Sequence, residues 1–244
     1  MARFFIAGTN LLGSPTALIR GRDAEHIQVL RIRPGEDVTI CDTQGQDYRC
    51  RLLRSSKEEA ELEVIDVVPC KGEPSVEVTV LCGLPKGERV DYIIQKSVEA
   101  GAHNLVFFQA ARSIAKPDDP YKKLDRWNRI SEEAAKQSGR GIIPKISWAA
   151  DYGEVLNIAV HTELPLFMYE TGERESLNQV LESHKAAASA AVITGPEGGF
   201  EQFEADLARI AGLHICSMGE RILRCETAPV VALTALMYAT GNLS

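Results

Sequence analysis

Ala190-Ala191-Val192-Ile193-Thr194-Gly195-Pro196-Glu197-Gly198-Gly199-Phe200, leading into Glu201–Ala211, decides the fold class. An unbroken small and apolar run without polar alternation describes a strand buried on both faces, and the stretch after Phe200 has the length and spacing of a helix. The same alternation of strand and helix extends outward in both directions. Upstream lie strand Val76–Leu81, helix Glu88–Ala100 (Val90, Ile93, Ile94 and Val98 at helical spacing), strand Asn104–Phe108, helix Tyr121–Ser138, strand Leu164–Met168 and helix Ser176–Ser183. Downstream lie strand His214–Met218 and a closing helix from about Ala228 to Ala239. This order predicts an α/β unit with a mainly parallel sheet and helices on both faces, which takes ligands outside the carboxyl ends of its strands.

The first seventy residues read differently. Asp37–Asp42, Asp47–Leu53 and Ala60–Val68 have strand character, with turn signals at Arg33-Pro34-Gly35, Gln44-Gly45 and Ser55-Ser56. Short, evenly spaced strands predict an all-β unit, a small barrel. Pro69-Cys70-Lys71-Gly72-Glu73-Pro74 reads as a linker, because prolines and glycine favour turn or extended backbone. The division expected is therefore a β domain over 1–72 and an α/β domain over 73–244.

At 244 residues, with 45% hydrophobic and 25% charged, the chain can bury a core without disulfides or metal. Its six cysteines form no C-x-x-C pair and its five histidines no H-x-x-x-H cluster, so neither a zinc site nor a secreted disulfide framework is expected. No apolar run approaches the roughly 20 residues of a membrane span. Met1–Gly8 is too short for a secretory signal, so the expectation is a cytoplasmic protein without a membrane partner.

The net charge of −7 argues against a protein that simply coats nucleic acid, but the charge is uneven. Residues 146–218 carry eleven acids against three bases, whereas 112–145 carry nine bases against five acids and 1–35 five bases against two acids. The two basic segments admit two readings, solvated faces or a localised anionic partner.

Two loops follow strands at their carboxyl ends. Gly195–Gly199 has three glycines in five residues, which let backbone approach a ligand closely. It matches neither the phosphate loop nor the dinucleotide fingerprint, and taken alone it is better read as a tight strand-to-helix turn. The second loop, Met218-Gly219-Glu220-Arg221-Ile222-Leu223-Arg224-Cys225-Glu226-Thr227-Ala228-Pro229, sets an Ile-Leu pair between two arginines. That is an apolar wall for a planar ring flanked by charge, or else a surface turn with solvated arginines. Thr227 is placed to cap the last helix, and Pro229 suits its first turn.

Gly195–Phe200 together with Gly219–Ala228 resembles the cofactor signature of the RsmE-type uridine N3-methyltransferases of 16S ribosomal RNA. The likeness continues through His26-x-x-Val29-Leu30-Arg31, Lys86-Gly87-Glu88-Arg89 with Gln95-Lys96, Arg112-Ser113, and Gln137-Ser138-Gly139-Arg140 with Ile143-Pro144, in order over most of the chain. The resemblance implies a C-terminal SPOUT domain with a deep trefoil knot and an N-terminal PUA-like RNA-binding barrel. It implies S-adenosylmethionine held mostly by backbone of three loops: Met168-Tyr169-Glu170-Thr171-Gly172, Gly195-Pro196-Glu197-Gly198-Gly199 and Met218–Leu223, with Met168, Glu170, Thr171, Gly172, Gly195, Pro196, Glu197, Gly198, Gly199, Met218, Gly219, Arg221, Ile222 and Leu223 as the candidate contacts. It implies a homodimer with a shared active site, acting on 16S ribosomal RNA in the assembled small subunit. Cys225 stands where the pattern has Thr, Met218 where it has Leu, and Lys136 where an acid is usual. A thiol is a weaker donor than a hydroxyl.

Methylating N3 of a uridine requires in-line placement, loss of a proton and positive charge near the uracil carbonyls. Arg140, Arg221 and Arg224 are the candidate cations. Glu226, ahead of Glu197, is the candidate base, with helix-dipole capping as its alternative role. Arg3, Arg20, Arg22, Arg31, Arg33, Lys122, Lys123, Arg126 and Arg129 are the candidate phosphate contacts. Competing functions are a SPOUT methyltransferase for transfer RNA or a ribose 2′-hydroxyl, and a non-catalytic RNA-binding module.

Overall fold

The computed structural model describes residues 2–6, 11, 13–116 and 119–243; Met1, Ala7 and Gly8 of the N-terminal stretch fall outside these. The chain divides into two compact units, Met1–Glu73 with Ala135–Ile143, and Pro74–Ala134 with Pro144–Ser244.

The first unit holds a five-stranded sheet built from β1 (Arg3–Phe5), β2 (Thr16–Arg20), β3 (Asp37–Cys41), β4 (Gln46–Ser55) and β5 (Glu59–Pro69), in the order β1-β3-β4-β5-β2. The β1–β3 pair is parallel and the others antiparallel. Alternation sets the inner face: Tyr48, Cys50 and Leu52 of β4 are buried, and Ala17 and Ile19 of β2. Phe4 of one edge strand and Ile19 of the other join a single core, so the sheet curls around it.

One expectation fails here. The first seventy residues are not all β, because α1 (Arg22–Val29) buries Ala24 and Ile27 against the strands. Eight residues give only two turns, too few for a helical period to stand out from its strand-rich surroundings. Arg31 ends this helix at φ 56°, with its N–H to Gln28 O at 3.0 Å and that of Ile32 to Ile27 O at 3.2 Å.

The presumed linker is a packed element. The Glu73 carboxylate accepts from Arg140 Nε at 2.9 Å, Arg140 Nη2 at 2.7 Å, the Gly141 N–H at 2.6 Å and the Ile142 N–H at 3.2 Å. Gly72 is required there, since a Cβ would run into the Gly139 carbonyl. Segment 135–143 thus folds with the first unit, which a cut at one point in the sequence does not express.

The second unit holds seven strands: β6 (Glu77–Gly83), β7 (Asn104–Phe108), β8 (Lys145–Trp148), β9 (Leu164–Met168), β10 (Glu175–Ser176), β11 (Ser189–Thr194) and β12 (His214–Ser217). Their order is β10-β12-β9-β11-β6-β7-β8, and every pair is parallel. From β6 the chain moves through β7 and β8, then returns to lay β9 and β11 on the other side. All seven carboxyl ends consequently share one edge.

Among the described residues, six α-helices accompany the sheet: α2 (Arg89–Glu99), α3 (Leu124–Ser138), α4 (Tyr152–Val160), α5 (Leu177–Ser183), α6 (Gln202–Ile210) and α7 (Ala228–Ala239). Val155 and Ala159 of α4 with Ala205 and Ala208 of α6 cover Leu81, Phe167, Ala191, Ile193 and Ile215 on one face. Helices α2, α5 and α7 pack together, with α7 against β6 and β11. In α7 the buried residues Pro229, Ala232, Leu233, Leu236 and Met237 follow helical spacing. Thr227 does not cap it by side chain: its backbone is already helical, and its N–H goes to Arg224 O at 2.8 Å.

Candidate active site

Three of the predicted loops leave three consecutive strands of the sheet. The segment after Met168 follows β9, Gly195–Gly199 follows β11, and Met218–Thr227 follows β12, and β12, β9 and β11 lie side by side. They surround a cleft of about 490 Å³, a volume in the range of small-molecule sites.

The glycine loop is pinned at both ends. Phe200 is fully buried, its ring 4.4 Å from that of Phe167 and stacked on Phe108. The Gly199 N–H closes a turn onto Pro196 O at 3.0 Å. Pro196 lies so near β6 that a Cβ on Gly83 would stand 2.5 Å from its Cδ. Gly199 has φ 65°, and a Cβ there would collide with the Glu170 carboxylate of the β9 loop. Two loops therefore touch through a position only glycine suits.

The β12 loop contributes main chain. Among the described residues, the amides of Met218, Glu220, Arg221, Ile222 and Leu223 donate no hydrogen bond within the chain, while that of Gly219 goes to Ser217 Oγ at 3.2 Å. Ile222 is 78% exposed and lines the cleft with Leu223, Met168 and Met218. Apolar wall and unspent backbone donors together suit a ligand with a flat ring and polar edges.

Of the predicted cofactor residues, Met168, Glu170, Gly195, Pro196, Glu197, Gly199, Met218, Gly219, Arg221, Ile222 and Leu223 line the cleft; Thr171, Gly172 and Gly198 do not. Gly198 instead meets Arg112, whose Nη1 donates to its carbonyl at 3.3 Å. Arg224 and Glu226 also line the cleft. The guanidinium groups of Arg221 and Arg224 make no hydrogen bond or ion pair among the described residues. Arg140 is elsewhere, 2% exposed and forked onto Glu73.

Arg89 is the site residue that sequence reasoning did not assign a role. It follows β6, the next strand after β11, and starts α2. Its Nη1 donates to Glu197 Oε1 at 2.6 Å, and its Nε stands 3.5 Å from Glu226 Oε2. The signal was present, because Lys86–Arg89 belongs to the resemblance, but nothing local ties it to loops more than a hundred residues away. Tyr169 of the first predicted loop lines the cleft as well, as do Arg174 and Thr194, which were unassigned.

The Cys225 thiol donates to Glu226 Oε2 at 3.2 Å, so the weaker donor still makes a bond at this position. Burial, then the neighbouring Glu226 and Glu197 carboxylates, push that thiol up to about 12. Burial would also raise the Glu226 carboxyl, but its own backbone N–H, Cys225, Arg89 and Arg224 outweigh this and hold it below the usual carboxylate range.

The candidate phosphate contacts divide by exposure and pairing. Arg22, Arg31, Arg33, Lys123 and Arg129 are exposed. Arg20 pairs with Glu59 at 3.5 Å, Lys122 with Asp119 at 3.6 Å, and Arg126 with Asp91. Arg3 is enclosed, donating to Asp47 at 2.8 and 2.6 Å.

Residues 72–237 match the RNA methyltransferase domain family and residues 19–65 the RNA methyltransferase PUA domain family. The ribosomal RNA small subunit methyltransferase E of Bacillus subtilis is 34% identical, over 100% of this chain and 98% of the relative. The crystal structure of the ribosomal RNA small subunit methyltransferase E from Neisseria gonorrhoeae, bound to S-adenosyl methionine, superposes with a TM-score of 0.84 at 30% identity, covering 98% of this chain and 97% of that one. The putative methyltransferase Lpg2936 from Legionella pneumophila, in complex with the same cofactor, gives 0.86 at 26% identity, over 98% and 97%. A parallel sheet of this order, carrying its cleft at the strand ends and joined to a PUA unit, defines the class as the RNA methyltransferases of SPOUT type. Within that class, the chain belongs to the ribosomal RNA small subunit methyltransferase E family.

Proposed function

We propose that this protein uses S-adenosylmethionine to methylate N3 of a uridine in 16S ribosomal RNA, working in the cytoplasm on the assembled small subunit. The observation that carries the reading is the cleft itself: three loops from adjacent parallel strands, touching at Gly199, with free main-chain donors beside an apolar wall. Those features fit S-adenosylmethionine, whose adenine lies flat and whose edges need hydrogen bonds. When bound, it supplies a methyl group activated by a sulfonium.

The loops Met168–Glu170, Gly195–Gly199 and Met218–Leu223 hold the cofactor and exclude water from it. Arg221 and Arg224 have charge to spare for the uracil carbonyls or an adjoining phosphate. Arg140 reads as an organiser of the first unit, because its fork is spent on Glu73. Arg22, Arg31, Arg33, Lys123 and Arg129 are the cations best placed by exposure to meet phosphate. A homodimer and a deep trefoil knot belong to the same reading, and the insertion of β12 between the earlier strands β9 and β10 supports the knot.

The deciding experiment is mass spectrometry of 16S RNA after incubating the protein and methyl donor with small subunits that lack the modification. New 3-methyluridine is expected; its absence rejects the reading. Calorimetry with S-adenosylmethionine separates the enzyme from an inert RNA-binding module.

A further inference from the structure

Both carboxylates that stand in the cleft as candidate bases are already engaged. The groups facing Glu226 are Arg89 from α2 and Cys225 and Arg224 from its own loop, while Glu197, from the loop after β11, meets Arg89 and lies near Cys225. Glu197 Oε1 takes both Arg89 Nη1 at 2.6 Å and the Lys86 N–H at 2.8 Å. Arg89 also donates from Nη1 to Lys86 O at 3.3 Å, which fixes the guanidinium against the start of its own helix. One cation thus spans two loops and the end of β6. Glu197 has one oxygen taken by two donors, and Glu226 is held below the usual carboxylate range, which makes it a poor acceptor for an imide proton, since proton-transfer efficiency falls as the base weakens.

We propose that neither carboxylate accepts the N3 proton: Arg89 is a positioning residue that holds Glu197 and Glu226 as anchors of the site, and the uridine reacts as its N3 anion, held by Arg221 and Arg224. This inference rests on the reading of the protein as a uridine N3-methyltransferase. The N3 proton leaves to solvent first, and its bonding pair stays on the imide as negative charge shared with the carbonyl oxygens. Arg221 and Arg224, whose guanidinium groups make no ion pair among the described residues, offset that charge. The N3 pair then forms the bond to the methyl carbon while the carbon–sulfur bond breaks, and its electrons remain on a neutral sulfide. No further proton acceptor is needed.

Single-turnover rates on small subunits between pH 6 and 8 test this directly. Wild-type protein should speed up about tenfold per pH unit, because the reacting anion does. Glu226→Gln and Glu197→Gln should change the absolute rate but keep that slope. Arg89→Lys should keep the slope with a smaller loss than Arg89→Ala. A wild-type rate that is flat over this range and becomes pH-dependent only in Glu226→Gln would overturn the proposal. An independent readout is carboxyl carbon NMR of protein labelled at glutamate, with the Glu226 signal assigned by its loss in Glu226→Gln. That signal should titrate below the ordinary glutamate value of about 4.3 and move up in Arg89→Lys; titration near neutrality would overturn the proposal. Mass spectrometry of the product separates the two failures. With 3-methyluridine present, a flat profile sinks only this inference, whereas methylation at another atom sinks the function and the inference together.

Discussion

Glu73 and Arg140 meet in a two-point fork, at 2.9 Å through Nε and 2.7 Å through Nη2, sixty-seven residues apart in sequence. Arg140 is almost wholly enclosed, so this pair closes the first unit by tying the segment that follows β5 to the segment after α3. Removing Glu73 takes a counter-ion from a buried guanidinium, and breaking a buried pair in this way costs about 3–5 kcal/mol. Glu73→Ala is expected to lower unfolding free energy by that order in urea titrations, and Arg140→Ala by less, because Glu73 is partly exposed and keeps the Gly141 and Ile142 N–H donors. An Arg140→Ala protein of wild-type stability that no longer methylates would reverse the assignment and restore a direct role in catalysis.

Gly199→Ala should weaken cofactor binding. The position needs φ 65°, where a side chain costs about 1–2 kcal/mol, and its Cβ would displace the Glu170 carboxylate that joins two loops. Gly212→Ala is the control, at φ 90° with nothing nearby to strike. Calorimetry with S-adenosylmethionine should show binding lost or weakened at least about tenfold in the first (about 1.4 kcal/mol) and unchanged in the second.

Neutralising Arg22, Arg31 and Arg129 together should weaken RNA binding and flatten its salt dependence, by about 0.7 in log–log slope for each lost contact to single-stranded phosphate. Arg3→Ala should behave otherwise. Its guanidinium is enclosed against Asp47, so the change should appear in thermal stability and leave the salt slope alone. Equal salt slopes for the triple variant and wild type would remove these cations from the RNA interface.

Acid should loosen the cleft. Glu226 has its folded-state value lowered, so its contribution to stability is present above the unfolded value of about 4.3 and is lost as pH falls through the lower folded one. Melting temperature should therefore drop as pH falls from about 4.5 toward 3, and Glu226→Gln should show a smaller drop. An identical acid limb in both proteins would show that Glu226 carries none of it.

Alkylation should find few thiols. Burial is the leading cause that pushes Cys41 up to about 11 and Cys50, Cys82, Cys216 and Cys225 up to about 12. Thiolate is the reactive form, so iodoacetamide at pH 7.5 on native protein should modify half-buried Cys70 alone, as read by intact mass. Prompt labelling of Cys225 would mean that its loop opens in solution.

Much of the α/β unit was legible because its signals are local. Asn104–Phe108 and Leu164–Met168 are strands with the bounds their apolar runs suggested, and Ala228–Ala239 is a helix with its buried face at helical spacing. Other elements had weaker signals. The α4 helix begins at an Asp151 cap that accepts the Glu154 N–H at 2.8 Å, a pattern visible in Asp151-Tyr-Gly-Glu154 but followed by only nine residues. β10 has two residues and exists only because β12 lies beside it, which no local pattern can announce.

By itself the sequence determined the glycines, the apolar wall and the order of strands and helices, since backbone freedom, burial and periodicity belong to each residue and its near neighbours. The tertiary structure alone decided which strands became neighbours. That choice carried Arg89 to Glu197 and Glu226, set Glu170 over Gly199, and enclosed Arg140 against Glu73. The reason is range: a turn propensity acts over a few residues, whereas a charge meets its partner only after the sheet has brought distant loops to one edge.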